Sequence, residues 1–224
     1  MNEEKPILSI ETSGSLCGAC VYFSDKKYFE FDIRLKNSHA EKLFEAIDNA
    51  VKASGITSGE LNAIAVSSGP GSFTGLRIGM SAAKGMAFAA SLPIITVPTF
   101  EATALQISKY LPDSSIFSIA NKVNSDEIYF AKFKVVSNNY IFVENLRIIK
   151  NNELPESSGA GLLFGNAAVL LKSEEVYGEI LNAPSPRYVA EWAKRFGDKF
   201  TVMDFDYLEP NYLKNFIIKE KKNV

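Results

Sequence analysis

Three short runs of alternating apolar residues open the chain, and then the hydrophobic period changes. Residues 7–10, 17–23 and 28–34 read as strands, the last two joined through Asp25, Lys26 and Lys27. Beyond them Leu43, Phe44, Ile47, Ala50 and Val51 recur at helical spacing. Ser38 and Glu41 form a capping box ahead of this helix, and Gly55 ends it. A strand at 63–67, a long helix at about 75–91, a strand at 94–97 behind Pro93 and a helix from Thr99 follow. The first three strands can pair as an antiparallel meander. The later ones, separated by helices, need crossovers and therefore parallel pairing.

The same order returns more weakly in the second half. Strands are expected at 115–120, 127–136, 140–149 and 162–165, and a helix at 187–196. A unit of three strands followed by strand–helix alternation, used twice, describes the α/β fold of actin-like ATPases, sugar kinases and heat-shock chaperones. We therefore expect two similar lobes with mixed sheets, at 1–107 and 108–224, with the tail after 208 able to pack back on the first. The 224 residues are enough for real cores in both.

Composition narrows the function classes. With 46% hydrophobic and 22% charged residues the chain is an ordinary globular one. A net charge of -2, with basic residues concentrated only at Lys214, Lys219, Lys221 and Lys222, argues against a chain that grips nucleic acid alone. Residues 1–6 are polar, and 7–10 is too short for the apolar part of a signal peptide. The stretch 85–97 is cut by Ser91 and Pro93 and is too short to span a bilayer. The expectation is a cytoplasmic protein with no membrane association.

Few residues offer chemistry. Cys17 and Cys20 have a C-x-x-C spacing, but on a strand residues three apart point to opposite faces. A redox pair belongs at a helix N-terminus, and structural zinc wants four ligands. His39, the single histidine, has no companion ligand motif and no nucleophile motif pointing to it. The run 68–79, Ser-Gly-Pro-Gly-Ser-Phe-Thr-Gly-Leu-Arg-Ile-Gly, reads as a strand turning tightly into a helix capped by Ser72 or Thr74. It could cradle an anion. It is neither a Walker A loop nor a hydrolase elbow, having no Lys-Ser/Thr after Gly75 and Pro70 two residues before Ser72. Gly75, Gly79, Ala83 and Ala87 form a row of small residues, so another backbone should lie close, from this chain's first helix or from a second chain. Glu11, Thr12, Ser13 and Ser15 match an actin-like phosphate loop, with Glu11 placed to hold magnesium through water. The second-half counterpart, 118–129, has Asn121 where an acidic residue is needed, and 164–168 is a thin version of an adenosine loop. The nucleotide site should be degenerate, with Glu11, Thr12 and Ser13 as a vestigial phosphate loop. No cofactor is expected, beyond weak residual ATP or ADP binding.

Four segments together resemble one family: Ile-Leu-Ser-Ile-Glu-Thr-Ser at 7–13, Ser-His-Ala-Glu at 38–41, the glycine-rich run 68–79 with Ala83-Lys-Gly85, and Pro-Asn-Tyr-Leu-Lys at 210–214. They look like TsaB (older name YeaZ), and the glycine-rich run is the most specific. The match covers the N-terminal half and returns at the C-terminal motif. Glu11 stands where the family more often has Asp, and 118–129 lacks its usual Asp-Ala-Arg-Arg run.

The resemblance implies a non-catalytic subunit in the synthesis of threonylcarbamoyladenosine next to the tRNA anticodon. It implies a heterodimer with the catalytic, metal-bearing paralogue TsaD, a third member in the ATPase TsaE, contact with tRNA only through the complex, and no metal in this chain. It places the first two helices against those of the paralogue, with His39, Glu41, Leu43, Phe44, Ile47, Val51, Gly75, Leu76, Gly79, Met80 and Ala83 as interface residues. The same helices could support a homodimer when the chain is alone. The alternative class is a stand-alone enzyme, a metal-independent peptidase or a small-molecule kinase.

Overall fold

A computed structural model of the chain describes residues 5–34, 39–159, 161–171 and 181–213. Strands β1 (Ile7–Glu11), β2 (Cys17–Ser24) and β3 (Lys27–Ile33) form the expected antiparallel meander. β4 (Ala63–Gly69) then joins β1 in parallel, and β5 (Ile94–Pro98) joins β4 in parallel. A two-residue strand from the far end of the chain pairs antiparallel with β5. Every residue of β1 and β4 is buried, as the central strands of a sheet covered on both faces must be.

Helix α1 (His39–Ser54) turns Leu43, Ala46, Ile47 and Ala50 inward and leaves Glu41, Phe44, Glu45 and Asp48 outside. Helix α2 (Phe73–Ala90) is capped by Ser72, whose hydroxyl accepts from the Gly75 amide at 3.2 Å. Together α1 and α2 cover one face of the sheet, in a core built on Leu8, Ile10, Val21, Ile64, Val66 and Met80. The expected cap at Ser38 lies outside the described residues.

Helix α3 (Thr99–Ser108) carries the chain to a second sheet of β6 (Ile116–Lys122), β7 (Glu127–Val136), β8 (Asn139–Lys150) and β9 (Leu162–Phe164), in the order β8-β7-β6-β9. It repeats the first: two antiparallel pairs, then β9 parallel to β6. Between β8 and β9, the short helix α4 (Leu154–Ser158) packs Leu154 against Ile128, Phe130 and Ile149. α3 serves both sheets. Ala102 and Leu105 face the first, while Phe100, Ala104 and Ile107 face Phe117, Phe133 and Phe164 of the second.

The chain then returns. Helix α5 (Pro186–Phe196) lies on the first sheet, with Val189, Trp192 and Ala193 against Ile7, Ala65, Ile95 and Val97. The last strand, β10 (Thr201–Val202), joins the edge of that sheet beside β5, completing the order β10-β5-β4-β1-β2-β3. Phe205 and Leu208 pack on the α1–α2 core. A division at 107/108 therefore does not describe the packing of α5 and β10, which return to the first sheet. The second sheet is built from 116–164, whereas α5, β10, Phe205 and Leu208 all pack on the first. Helical periodicity marks a buried face but carries no information on which sheet it meets.

Candidate functional site

The loop between β1 and β2 sits under the N-terminus of α2, and its polar groups are spent on the chain itself. Glu11 ends β1 with no exposed surface. One carboxylate oxygen accepts from the amide and the hydroxyl of Ser13, each at 2.5 Å, and the other accepts from the Ser67 hydroxyl on β4. Burial raises the Glu11 carboxyl from its usual range to about 7, and the three hydrogen bonds pull back against that rise. Thr12 donates its hydroxyl to the Gly75 carbonyl at 2.7 Å. The Ser72 amide donates to the Ser13 carbonyl at 2.7 Å. The donors expected to hold a phosphate thus hold a carboxylate and carbonyls of this chain.

The same geometry explains the small residues of α2. A Cβ on Gly71 or Gly75 would collide with the carbonyl oxygens of Ser13 or Thr12, and one on Gly79 with the Thr12 hydroxyl. The close neighbour of Gly75 and Gly79 is the β1–β2 loop, while Ala83 and Ala87 lie in the core shared with α1. Several residues expected at a partner interface are accordingly buried in this chain's own core: Leu43, Ile47, Gly75, Leu76, Gly79, Met80 and Ala83. Glu41 and Phe44 are exposed and Val51 is half-buried. The side chain of His39 lies outside the described residues.

On the second sheet the end of β6 mirrors the end of β1. Asn121, 6% exposed, accepts at Oδ1 from the Asn166 amide at 3.1 Å. Gly69 after β4 and Gly165 after β9 both hold positive φ, 112° and 99°. The two half-sites face each other across Asn182 and Ala183. Asn121 donates its side-chain amide to the Asn182 carbonyl at 2.9 Å, and Asn182 Oδ1 accepts from the Ser15 hydroxyl at 3.1 Å. A Cβ on Gly14 would lie 2.6 Å from the Ala183 Cβ. Sequence reasoning passed over Asn182. Its one signal is position, just ahead of the Pro184-Ser-Pro186 run that leads into α5.

Two of the segments that carry the resemblance, the glycine-rich run and the C-terminal tyrosine motif, far apart in sequence, are in contact. The Asn211 amide donates to the Ser68 carbonyl at 2.7 Å, and its own carbonyl oxygen would stand 2.7 Å from a Cβ on Gly69. The Tyr212 ring packs 4.9 Å from Phe73, its hydroxyl accepts from Arg77 Nε at 3.2 Å, and Arg77 lies over the Phe73 ring. Arg77, Ser81, Lys84, Leu208, Glu209 and Tyr212 line a groove of about 250 Å³. Lys214 and the basic residues beyond it lie outside the described residues.

The thiols of Cys17 and Cys20 are free and buried in different clusters, on opposite faces of β2 as the strand period requires. Burial pushes the Cys17 thiol up to about 11 and Cys20 higher still. Among the described residues no group of His, Cys, Asp and Glu could hold a metal ion, and no helix is long and apolar enough to cross a membrane.

Comparison with known proteins places these features. Residues 34–138 match the family model described as TsaD, tRNA N6-adenosine threonylcarbamoyltransferase. A protein of Haemophilus influenzae named tRNA threonylcarbamoyladenosine biosynthesis protein TsaB is 27% identical, over 96% of each chain. The protein of that name from Buchnera aphidicola (Baizongia pistaciae strain) is 31% identical over 58% of each. A crystal structure from Pseudomonas aeruginosa, described as similar to peptidase YEAZ, superposes with a TM-score of 0.77 at 20% identity, covering 94% of this chain and all of that one. The fold is thus the α/β actin-like one.

Proposed function

The chain belongs to the TsaB (YeaZ) family, and from that premise we propose that it works in the synthesis of threonylcarbamoyladenosine in tRNA as a non-catalytic subunit, supporting a TsaD-type transferase together with the ATPase TsaE. One observation carries the non-catalytic reading. The polar groups at the ends of β1 and β6, where this fold would hold a nucleotide, are bonded within this chain, to one another, to the Gly75 carbonyl on α2 and to Asn182. Glu11, the carboxylate that ends β1, is sealed from solvent.

The partner surface on this reading is the outward side of α1 and α2. Phe44 on α1 is 58% exposed and Phe88 on α2 82%, and a Cβ built on Gly85, one turn before Phe88, would meet nothing within 4 Å. Large aromatic side chains beside a bare helix backbone suit close packing against another helix.

Co-purification with a TsaD paralogue, followed by a tRNA modification assay with TsaE, tests the proposal. The expected result is a heterodimer, modification that depends on this chain, and no peptidase or sugar-kinase turnover by the chain alone. Turnover by the pure chain would establish the stand-alone enzyme instead. A stable homodimer that excludes the paralogue would favour a scaffold.

A further inference from the structure

The run from Leu181 to Pro186 touches the second sheet, the β1–β2 loop, β1 and α3. Leu181 packs in the core of the second sheet. The Asn182 carbonyl accepts from Asn121 at the end of β6, and its side chain accepts from Ser15 in the β1–β2 loop. Ala183 is buried against Gly14. The Ser185 amide donates to Gln106 Oε1 on α3 at 2.8 Å, and the Pro186 carbonyl accepts from Ser9 on β1 at 2.6 Å.

We propose that residues 181–186 are an interlobe latch: a built-in occupant of the cleft that holds the two sheets in one fixed arrangement. In two-lobed proteins that close around a ligand, ligand contacts to both lobes provide the closing free energy. Here Asn182 makes such contacts itself, one to each lobe, and it is covalently present at all times. The base of the cleft is tied independently, by α3 and by Trp192 Nε1 donating to Tyr140 OH at 2.9 Å, so loss of the latch leaves a hinge and not two loose domains. The inference concerns only this chain's motion and does not rest on its place in the tRNA pathway.

Spin labels at Lys52→Cys on α1 and Asn145→Cys on β8, both exposed, report the lobe-to-lobe distance, because the native thiols are buried. The background chain should give one narrow distance distribution. Asn182→Ala and Asn121→Ala, each alone, should broaden it and add a longer population. An unchanged distribution in both folded variants overturns the latch. Should a variant fail to fold, native-state hydrogen exchange on the unaltered chain decides. A latch makes the amides of Ser15 and Asn166 open together, with equal protection and the same response to mild denaturant; unrelated protection at the two sites overturns it.

Discussion

The amide of Asn211 reaches the carbonyl of Ser68 at 2.7 Å, so the end of the described chain is tied to the turn that leads into α2. This contact makes the glycine-rich run and the C-terminal tyrosine motif one unit. Gly69 has no room for a side chain because Asn211 lies over it.

Tyr212→Ala tests that unit. It removes the ring packed on Phe73 and the acceptor for Arg77. A loss of about 1 kcal/mol in urea unfolding is expected. The Asn211 amide should exchange faster, and α1 should be unaffected. Unchanged exchange at Asn211 would mean that the strap holds without Tyr212.

Two glycines of α2 should respond with opposite signs. Gly79→Ala puts a Cβ into the Thr12 hydroxyl, which is itself bonded to Gly75, and overpacking of this kind costs ~1–3 kcal/mol. Gly85 is exposed, and a Cβ there would meet nothing within 4 Å, so Gly85→Ala should stabilise by up to about 1 kcal/mol through helix propensity. Paired denaturation curves check both. Gly79→Leu should be the more damaging form of the first.

Glu11 sets a pH dependence whose sign comes from its raised value. The folded state binds this proton more tightly than the unfolded state, whose carboxyl titrates near 4.5. The contribution to stability is complete below about 4.5 and is lost as pH rises through about 7. Glu11→Gln should flatten the stability profile in that window, by on the order of 3 kcal/mol between its ends. Chemical denaturation at a series of pH values, for both chains, measures the difference. Parallel profiles would show that Glu11 does not titrate there.

Phe44→Glu and Phe88→Glu separate interface from core. Both side chains are exposed, so the melting temperature should stay within the effect of about 0.5 kcal/mol. Affinity for a TsaD paralogue should fall at least about tenfold, as for a buried aromatic anchor. Normal affinity in both variants would move the partner surface away from α1 and α2.

Local patterns in the sequence determined the elements: the meander 7–33, the capped helix after the glycine-rich turn, the parallel strands on either side of it and the repeat from 116 onward. They also identified the turn residues, because Gly69 and Gly71 mark tight backbone wherever the chain folds. Which surface a small residue serves was decided only in three dimensions. The row of small residues on α2 signalled a close neighbour, but the neighbour of Gly75 and Gly79, Thr12, lies more than sixty residues away in the chain. The same holds for α5, which was legible as a helix while its sheet was not, and for Asn182, an unremarkable polar residue until the β1–β2 loop and β6 converge on it. Period and propensity act over one or two turns of chain, whereas these contacts are set by how two sheets pack around α3, which no local pattern encodes.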